Sequence, residues 1–333
     1  MKHNKEILCS ISTRGRYDTT LPLCLIAVMN QTKLPDHLII FDDNEEVQDL
    51  REKDIYKNLF LMMDAKGLSW EVVFGKKMGQ HHNHQMANKR GYEWVWRVDD
   101  DCIPDTNVLE NLYKATSLDV GCIAGSVITP EWNLPEADKK KASGKIEDIY
   151  HSQNKQWYKI DEQEEVDHVH CTFLYRAGVV DYNLLLSKVA HREESLFSYD
   201  FIKKGYKNLI VPDAVTYHLK SSKGGIRDGM AELYGHDEEI FRSHLNVGYL
   251  IVLDAGIGDH LVFESIMDEV LEKYNKITIA CCYPEVFDDW SVDCISIADA
   301  RRISNIDDQN IYKNMIDWKW EGSLQNAYRK LYL

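Results

Sequence analysis

No run of this 333-residue chain approaches the roughly 18 consecutive apolar residues that a bilayer-spanning helix needs. The stretch up to Tyr17 also lacks the apolar centre of a secretion signal, so a cytoplasmic location without an integral membrane segment is the expectation. Paired cysteine spacing is missing too. Eight cysteines are scattered through apolar surroundings with no C-x-x-C pair, which favours buried reduced thiols over a zinc or disulfide framework. Proline and glycine are sparse, at 7 and 18 residues, which excludes collagen-like and low-complexity classes. Positive charge is short: 39 basic against 54 acidic residues give a net −15, which disfavours broad adhesion to nucleic acid or anionic membrane. What is present, 44% hydrophobic residues, suffices for a folded core, and the length suits two units.

Glu6 to Ile11 reads as a buried strand, Leu21 to Met29 as a helix packed on a sheet, and His37 to Phe41, after Pro35, as a second strand ending in Asp42 and Asp43. Strand, helix, strand at this spacing makes a β-α-β unit, hence an α/β fold with a parallel sheet. Trp70 to Phe74 is a third strand, a helix start follows between Gly79 and Lys89, and Glu93 to Val98 runs apolar into Asp99-Asp100-Asp101. Ligands of open α/β sheets gather beyond the carboxyl ends of strands, where both acidic groups would lie. Val166 to Tyr175 reads as a further strand, Glu194 to Lys204 as a helix stopped by Gly205, and Leu209 to Val211 as a short strand. Near residue 245 the pattern restarts with a strand at Gly248 to Leu253, a Gly256-Ile257-Gly258-Asp259 turn, a helix over Leu261 to Lys273 and a strand at Ile277 to Cys281. A catalytic domain over 1–245 and a partial Rossmann-like unit over 246–333 are therefore expected.

Three adjacent carboxylates at the end of a buried strand repel one another unless a cation or donors compensate. A hard divalent ion, Mg²⁺ or Mn²⁺, held by one or two of them with water and phosphate oxygens, would suit a diphosphate leaving group; a solvated acidic turn is the alternative. His81, His82 and His84 invite a metal reading, but their spacings do not share one helical face, so a polar helix start is preferred. Alternation puts His168 and His170 on one strand face, without an evident third ligand.

The ordered pieces Thr13-Arg14, Asn30-Gln31-Thr32, Pro35, Asp42-Asp43 and Val98-Asp99-Asp100-Asp101 resemble the start of a family 2 glycosyltransferase with the GT-A fold, a Rossmann-like mixed sheet flanked by helices. The resemblance covers most of residues 5 to 220. It implies that Thr13, Arg14 and Arg16 lie near the nucleotide and that Asp42 or Asp43 contacts its base or ribose. Asp99, Asp100 and Asp101 would form the donor-diphosphate element, with Asp101 and Asp99 as metal ligands. His84 and Asn88 would touch the donor, and His218, closing a strand from Val211, would reach the metal or diphosphate. Arg192-Glu193-Glu194-Ser195-Leu196 resembles the segment that supplies the family's catalytic base, which implies Glu194, with Glu193 second. Here the chain departs from the family, whose leading glycine is Arg192 and whose second acidic position is Leu196. Lys223, in the glycine-hinged loop 219–227, would close over the donor phosphates. The tail is similar to the first strand, turn and helix of heptosyltransferase-like GT-B proteins, and a structural, docking or oligomerising appendage is its expected role.

The implied activity is inverting transfer of a sugar from a nucleotide-diphosphate donor, UDP-sugar favoured, to a hydroxyl of a glycan, lipid-linked sugar, small molecule or modified nucleobase. A metal-dependent nucleotidyl- or phosphotransferase and a non-catalytic nucleotide-sugar-binding module remain as alternatives. The sugar, the acceptor and the oligomeric state are left open.

Overall fold

The computed structural model describes residues 6–44, 46, 48–129, 142–149, 153–220, 225, 231–245, 249–274, 277–303, 312–313 and 322–333. They fall into two compact units, Met1–Ile240 and Phe241–Leu333.

The larger unit begins with β1 (Ile7–Thr13), α1 (Leu21–Met29), β2 (His37–Asp42), α2 (Asp54–Ala65), β3 (Ser69–Phe74), α3 (Gln80–Asn88) and β4 (Trp94–Arg97). There follow β5 (Cys102–Pro104), α4 (Val108–Lys114), β6 (Val120–Ala124), β7 (Val127–Ile128), β8 (Glu164–Val166), β9 (Phe173–Arg176), α5 (Glu193–Lys203), β10 (Lys207–Ile210) and β11 (Thr216–His218). The last helix to start in this unit is α6 (Ala231–Leu245).

Eight strands form one mixed sheet in the order β3-β2-β1-β4-β9-β6-β10-β8. The first four are parallel, with Thr13 opposite Asp42 and Ser10 opposite Arg97, so β1, β2 and β4 end together on one edge. Every residue of β1 is buried, as parallel strands covered on both faces require. Its alternation splits the core: Ile7, Cys9 and Ile11 pack with Leu25, Leu38 and Trp96, while Leu8 packs with Ile39, Phe41 and Val95 on the other face. A second sheet, β5-β11-β7, pairs β11 antiparallel to β5 with His218 opposite Cys102.

Helix α2 was not read from the sequence, although Tyr56, Leu59, Phe60 and Met63 form the buried stripe that a period of 3.6 gives. The single strand expected over Val166 to Tyr175 is instead two, β8 and β9. Between them Cys171 takes φ 56°, and the amides of Val169 and His170 donate to Ser198 Oγ and Gln156 Oε1 rather than to a ladder. Residues 167–172 therefore leave the sheet, and the strand alternation assumed for His168 and His170 does not hold there.

The smaller unit contains β12 (Tyr249–Leu253), α7 (Ile257–Glu264), α8 (Met267–Lys273), β13 (Ile277–Cys281), β14 (Asp293–Ser296), α9 (Ile297–Ile303), β15 (Tyr312–Lys313) and α10 (Leu324–Tyr332). Its sheet, β14-β13-β12-β15, is parallel throughout. The one helix expected over Leu261 to Lys273 is broken near Ser265, whose amide and hydroxyl bond back to Leu261 O and Val262 O as the first helix ends. Tyr328 and Tyr332, one helical turn apart on α10, are fully buried against Phe263 and close its core. Among the described residues no helix is long and apolar enough to cross a membrane.

Candidate active site

The carboxyl ends of β1, β2 and β4 carry most of the polar residues singled out from the sequence. After β1 the chain turns through Gly15, at φ 68°, a conformation glycine adopts without the Cβ penalty, and its amide donates to Asn44 Oδ1 at 2.5 Å. That turn sends Arg16 over the acidic run: Nη1 lies 2.6 Å from Asp100 Oδ1 and Nη2 3.1 Å from Asp101 Oδ2. Thr13 Oγ1 donates to Asp100 Oδ2 at 2.7 Å. Arg14 lies in the same turn, and its carbonyl accepts from the Gly225 amide.

Two aspartates end β2. Asp42 Oδ1 accepts from Tyr17 Oη at 2.7 Å and from Asn44 Nδ2 at 2.7 Å, so it braces the turn. Asp43 Oδ1 accepts the Lys77 amide at 2.8 Å, whereas its buried Oδ2 has no hydrogen-bond partner among the described residues. Gly75 makes room for this arrangement, since a Cβ there would stand 2.4 Å from Asp43 Oδ1.

Arg97, the last residue of β4, is wholly buried and binds three carboxylates: Glu193 Oε1 at 2.6 Å, Glu194 Oε1 at 3.2 Å and Asp99 Oδ1 at 3.3 Å. Such a cation is tolerated in a core only with partners of this kind. Glu193, 1% exposed, also accepts from Gln80 Nε2 at 2.7 Å. The Glu194 and Asp99 side chains are each 15% exposed and reach the surface of the site. Burial pushes Glu193 up to about 7 despite Arg97. Burial likewise raises Asp99 and Asp100, against Arg97 and Arg16 respectively.

Glu193 and Glu194 open α5 behind Arg192, which has φ 64°. This left-handed geometry is the one glycine adopts readily, so Arg192 holds the backbone turn there under strain. The turn is held from outside: Asp237 accepts the amides of Ser187 and His191, and Glu238 faces His191 at 3.3 Å and Arg192 at 3.5 Å.

His218 ends β11 beside the acidic run. Its Nε2 is 3.2 Å from Asp101 Oδ1 and its Nδ1 3.7 Å from Cys171 Sγ. Burial opposes a charge on this imidazole, but the facing Cys171 and Asp101 prevail and raise its pKa to about 11. The Cys102 thiol hydrogen-bonds Cys171, lowering the latter's pKa well below its ordinary value. Asp101, Cys102 and His218 each offer a ligand atom within 4.8 Å of the others, the one such group of three among the described residues.

Two expected donor contacts point elsewhere. His84 is fully buried, with Nδ1 3.0 Å from Ser10 Oγ, because its position on α3 faces β1 and not the sheet edge. Asn88 is spent on the Val180 carbonyl and the Gly178 amide. Lys223 lies outside the described residues. Arg97 was missed by reasoning from sequence, yet a signal existed: a cation inside the run Trp94-Val95-Trp96-Arg97-Val98 must find buried partners.

No protein-family model matches the chain. A stretch of 108 residues, 32% of the chain, is 31% identical to the galactofuranosyltransferase GlfT1 of Mycolicibacterium smegmatis, and it spans about a third of that protein, 34%. A crystal structure of GalNAc-T7 with UDP, GalNAc and Mn²⁺ aligns with a TM-score of 0.50 at 13% identity, covering 73% of this chain and 48% of that one. Staphylococcus aureus TarS 1–349 in complex with UDP-GlcNAc aligns with a TM-score of 0.50 at 12% identity, covering 80% and 73%. At such identities the likeness to these structures is one of fold.

Proposed function

We propose that this chain, which has the GT-A fold of those glycosyltransferases, moves a sugar from a UDP-sugar to an acceptor hydroxyl with inversion at the anomeric carbon. One observation carries the reading: Arg16, Asp99 to Asp101, His218 and Glu194 converge beyond the carboxyl ends of β1 and β4. The UDP and UDP-GlcNAc in the two aligned structures support a uridine nucleotide donor, and the galactofuranosyltransferase relative supports sugar transfer.

Asp43, with a buried oxygen that lacks a partner among the described residues, suits a hydroxyl or N–H of the nucleoside. Arg16, now neutralising Asp100 and Asp101, is within reach of a diphosphate. A divalent cation fits the carboxylate oxygen of Asp101 and the imidazole nitrogen of His218, which stand 3.2 Å apart. Bound there, it would neutralise charge on the leaving diphosphate.

Glu194 is the base. As the acceptor oxygen bonds to the anomeric carbon, its proton passes to the Glu194 carboxylate, while the carbon–oxygen bond to the diphosphate breaks and the nucleotide leaves with the electron pair. Arg97 orients that carboxylate and, through Oδ1 of Asp99, ties it to the acidic run. Glu193 is too enclosed for this role.

The same Arg97 contact engages the Glu194 carboxylate oxygen that would take the proton, and this favours a second reading, a module that binds nucleotide sugar without transferring it. Binding and slow hydrolysis across a panel of nucleotide sugars, with and without Mn²⁺, in wild type and Asp101→Ala, test both. Ion-dependent hydrolysis of one donor, lost in the variant, is expected. Binding without turnover selects the module, a phosphorylated acceptor product selects a phosphotransferase, and no binding at all refutes the donor site.

A further inference from the structure

We infer that Cys102 is a metal ligand, so that Asp101, Cys102 and His218 form a mixed oxygen, sulfur and nitrogen site selective for a thiophilic divalent ion of the Zn²⁺ class over Mg²⁺. The inference rests on the reading of this edge as a donor-diphosphate site, and it concerns a residue to which that reading gives no role.

The three ligand atoms already stand within 4.8 Å of one another. Around a tetrahedral ion with bonds of about 2.0 Å to nitrogen and oxygen and about 2.3 Å to sulfur, ligand atoms sit roughly 3.3–3.6 Å apart. The pair His218 Nε2 and Asp101 Oδ1, at 3.2 Å, already has that spacing. The antiparallel pairing of β5 with β11 sets His218 opposite Cys102, and the Leu219 amide donates to the Asp101 carbonyl at 2.9 Å, so backbone bonds fix the group. Asp101 is 3% exposed, Cys102 0% and His218 8%, which leaves little rotamer freedom to lose on binding.

The carboxylate and the imidazole are also directed. Arg16 contacts Oδ2 of Asp101, and Oδ1 faces the imidazole. Cys171 Sγ, 3.7 Å from His218 Nδ1, is a positioning partner that orients the ring and leaves Nε2 for the ion. Three protein ligands leave one position for a diphosphate oxygen, the pattern of zinc sites that keep an exchangeable ligand. Mg²⁺ requires near-octahedral oxygen ligation, which a thiol does not supply.

Titration of the reduced chain with Co²⁺, followed by near-ultraviolet absorption, tests this without reference to turnover. A thiolate-to-cobalt charge-transfer band is expected at one equivalent, abolished by Zn²⁺ and unaffected by excess Mg²⁺. Cys102→Ser removes the band, Cys171→Ser keeps it, and Asp101→Ala, which retains both thiols, weakens it and so separates this site from the remaining cysteines. Cobalt bound without the band, a band unchanged in Cys102→Ser or in Asp101→Ala, displacement by Mg²⁺ as readily as by Zn²⁺, or no cobalt binding overturns the inference. Should Cys102→Ser not fold, wild type and Asp101→Ala still decide. UDP-sugar binding measured on the same samples keeps the two readings apart: ion-dependent binding without the band refutes the sulfur ligand alone, and the band without nucleotide-sugar binding refutes the donor site alone.

Discussion

Replacing Arg97 by Met removes a wholly buried guanidinium from between Glu193, Glu194 and Asp99, held at 2.6, 3.2 and 3.3 Å. Methionine fills much of the volume, so the loss is chiefly electrostatic. Removing one partner of a buried ion pair costs about 3–5 kcal/mol, because the other charges stay behind without compensation. The cost depends on pH, and its sign follows from Glu193, whose pKa burial already raises from 4.5 to about 7 against the attraction of Arg97. A carboxyl with a raised folded-state pKa stabilises the fold below its unfolded value and loses that contribution as pH climbs through the folded one. Without Arg97 the folded value climbs further, so the variant suffers most on the alkaline side. Urea denaturation followed by tryptophan fluorescence reads this unit, since Trp94 and Trp96 are buried on the same strand. The stability gap from wild type should be about 3–5 kcal/mol near pH 8 and clearly smaller near pH 5. Adding Glu193→Gln to the variant should recover part of the gap near pH 8, because it removes one stranded charge. A gap below about 1 kcal/mol, the range of an exposed ion pair, or one equal at both pH values, would refute the account of Arg97 as the buried counter-ion.

Glu194→Gln should lower kcat about 10²- to 10⁴-fold in steady-state assays while leaving donor KM near wild type, and a loss confined to KM would remove Glu194 from the role of base. Gly75→Ala places a methyl 2.4 Å from Asp43 Oδ1, so a destabilisation of about 1–3 kcal/mol and weaker nucleotide binding by calorimetry are expected; unchanged affinity would show that Asp43 does not face the donor. Tyr332→Ala opens a cavity beneath Phe263, whose ring centroid lies 5.1 Å away, and should cost the smaller unit about 3–5 kcal/mol, read as lost hydrogen-exchange protection in β12 and β13. Undiminished protection there would mean that α10 does not close that core.

Chain order and periodicity determined the opening of the larger unit, because β1, α1 and β2 are neighbours in sequence as well as in space, and an apolar run followed by Asp99-Asp100-Asp101 names its own sheet edge. The same local logic located Asp42 and Asp43 at that edge, whereas Thr13, Arg16 and Glu194 were implied only by the family resemblance. Only the tertiary structure decided which of these side chains meet. Arg97 reaches Glu194 across 97 positions of sequence, and Cys171 reaches His218 across 47, through strand register and a loop that leaves the sheet. The same holds for orientation: His84 lies on the helix expected near the donor but turns toward Ser10, since one residue's shift along α3 rotates a side chain by about 100°. Sequence spacing fixes which ends carry charge, whereas the partner that neutralises a buried charge, and the thiol that faces an imidazole, are selected by packing between segments that the chain keeps far apart.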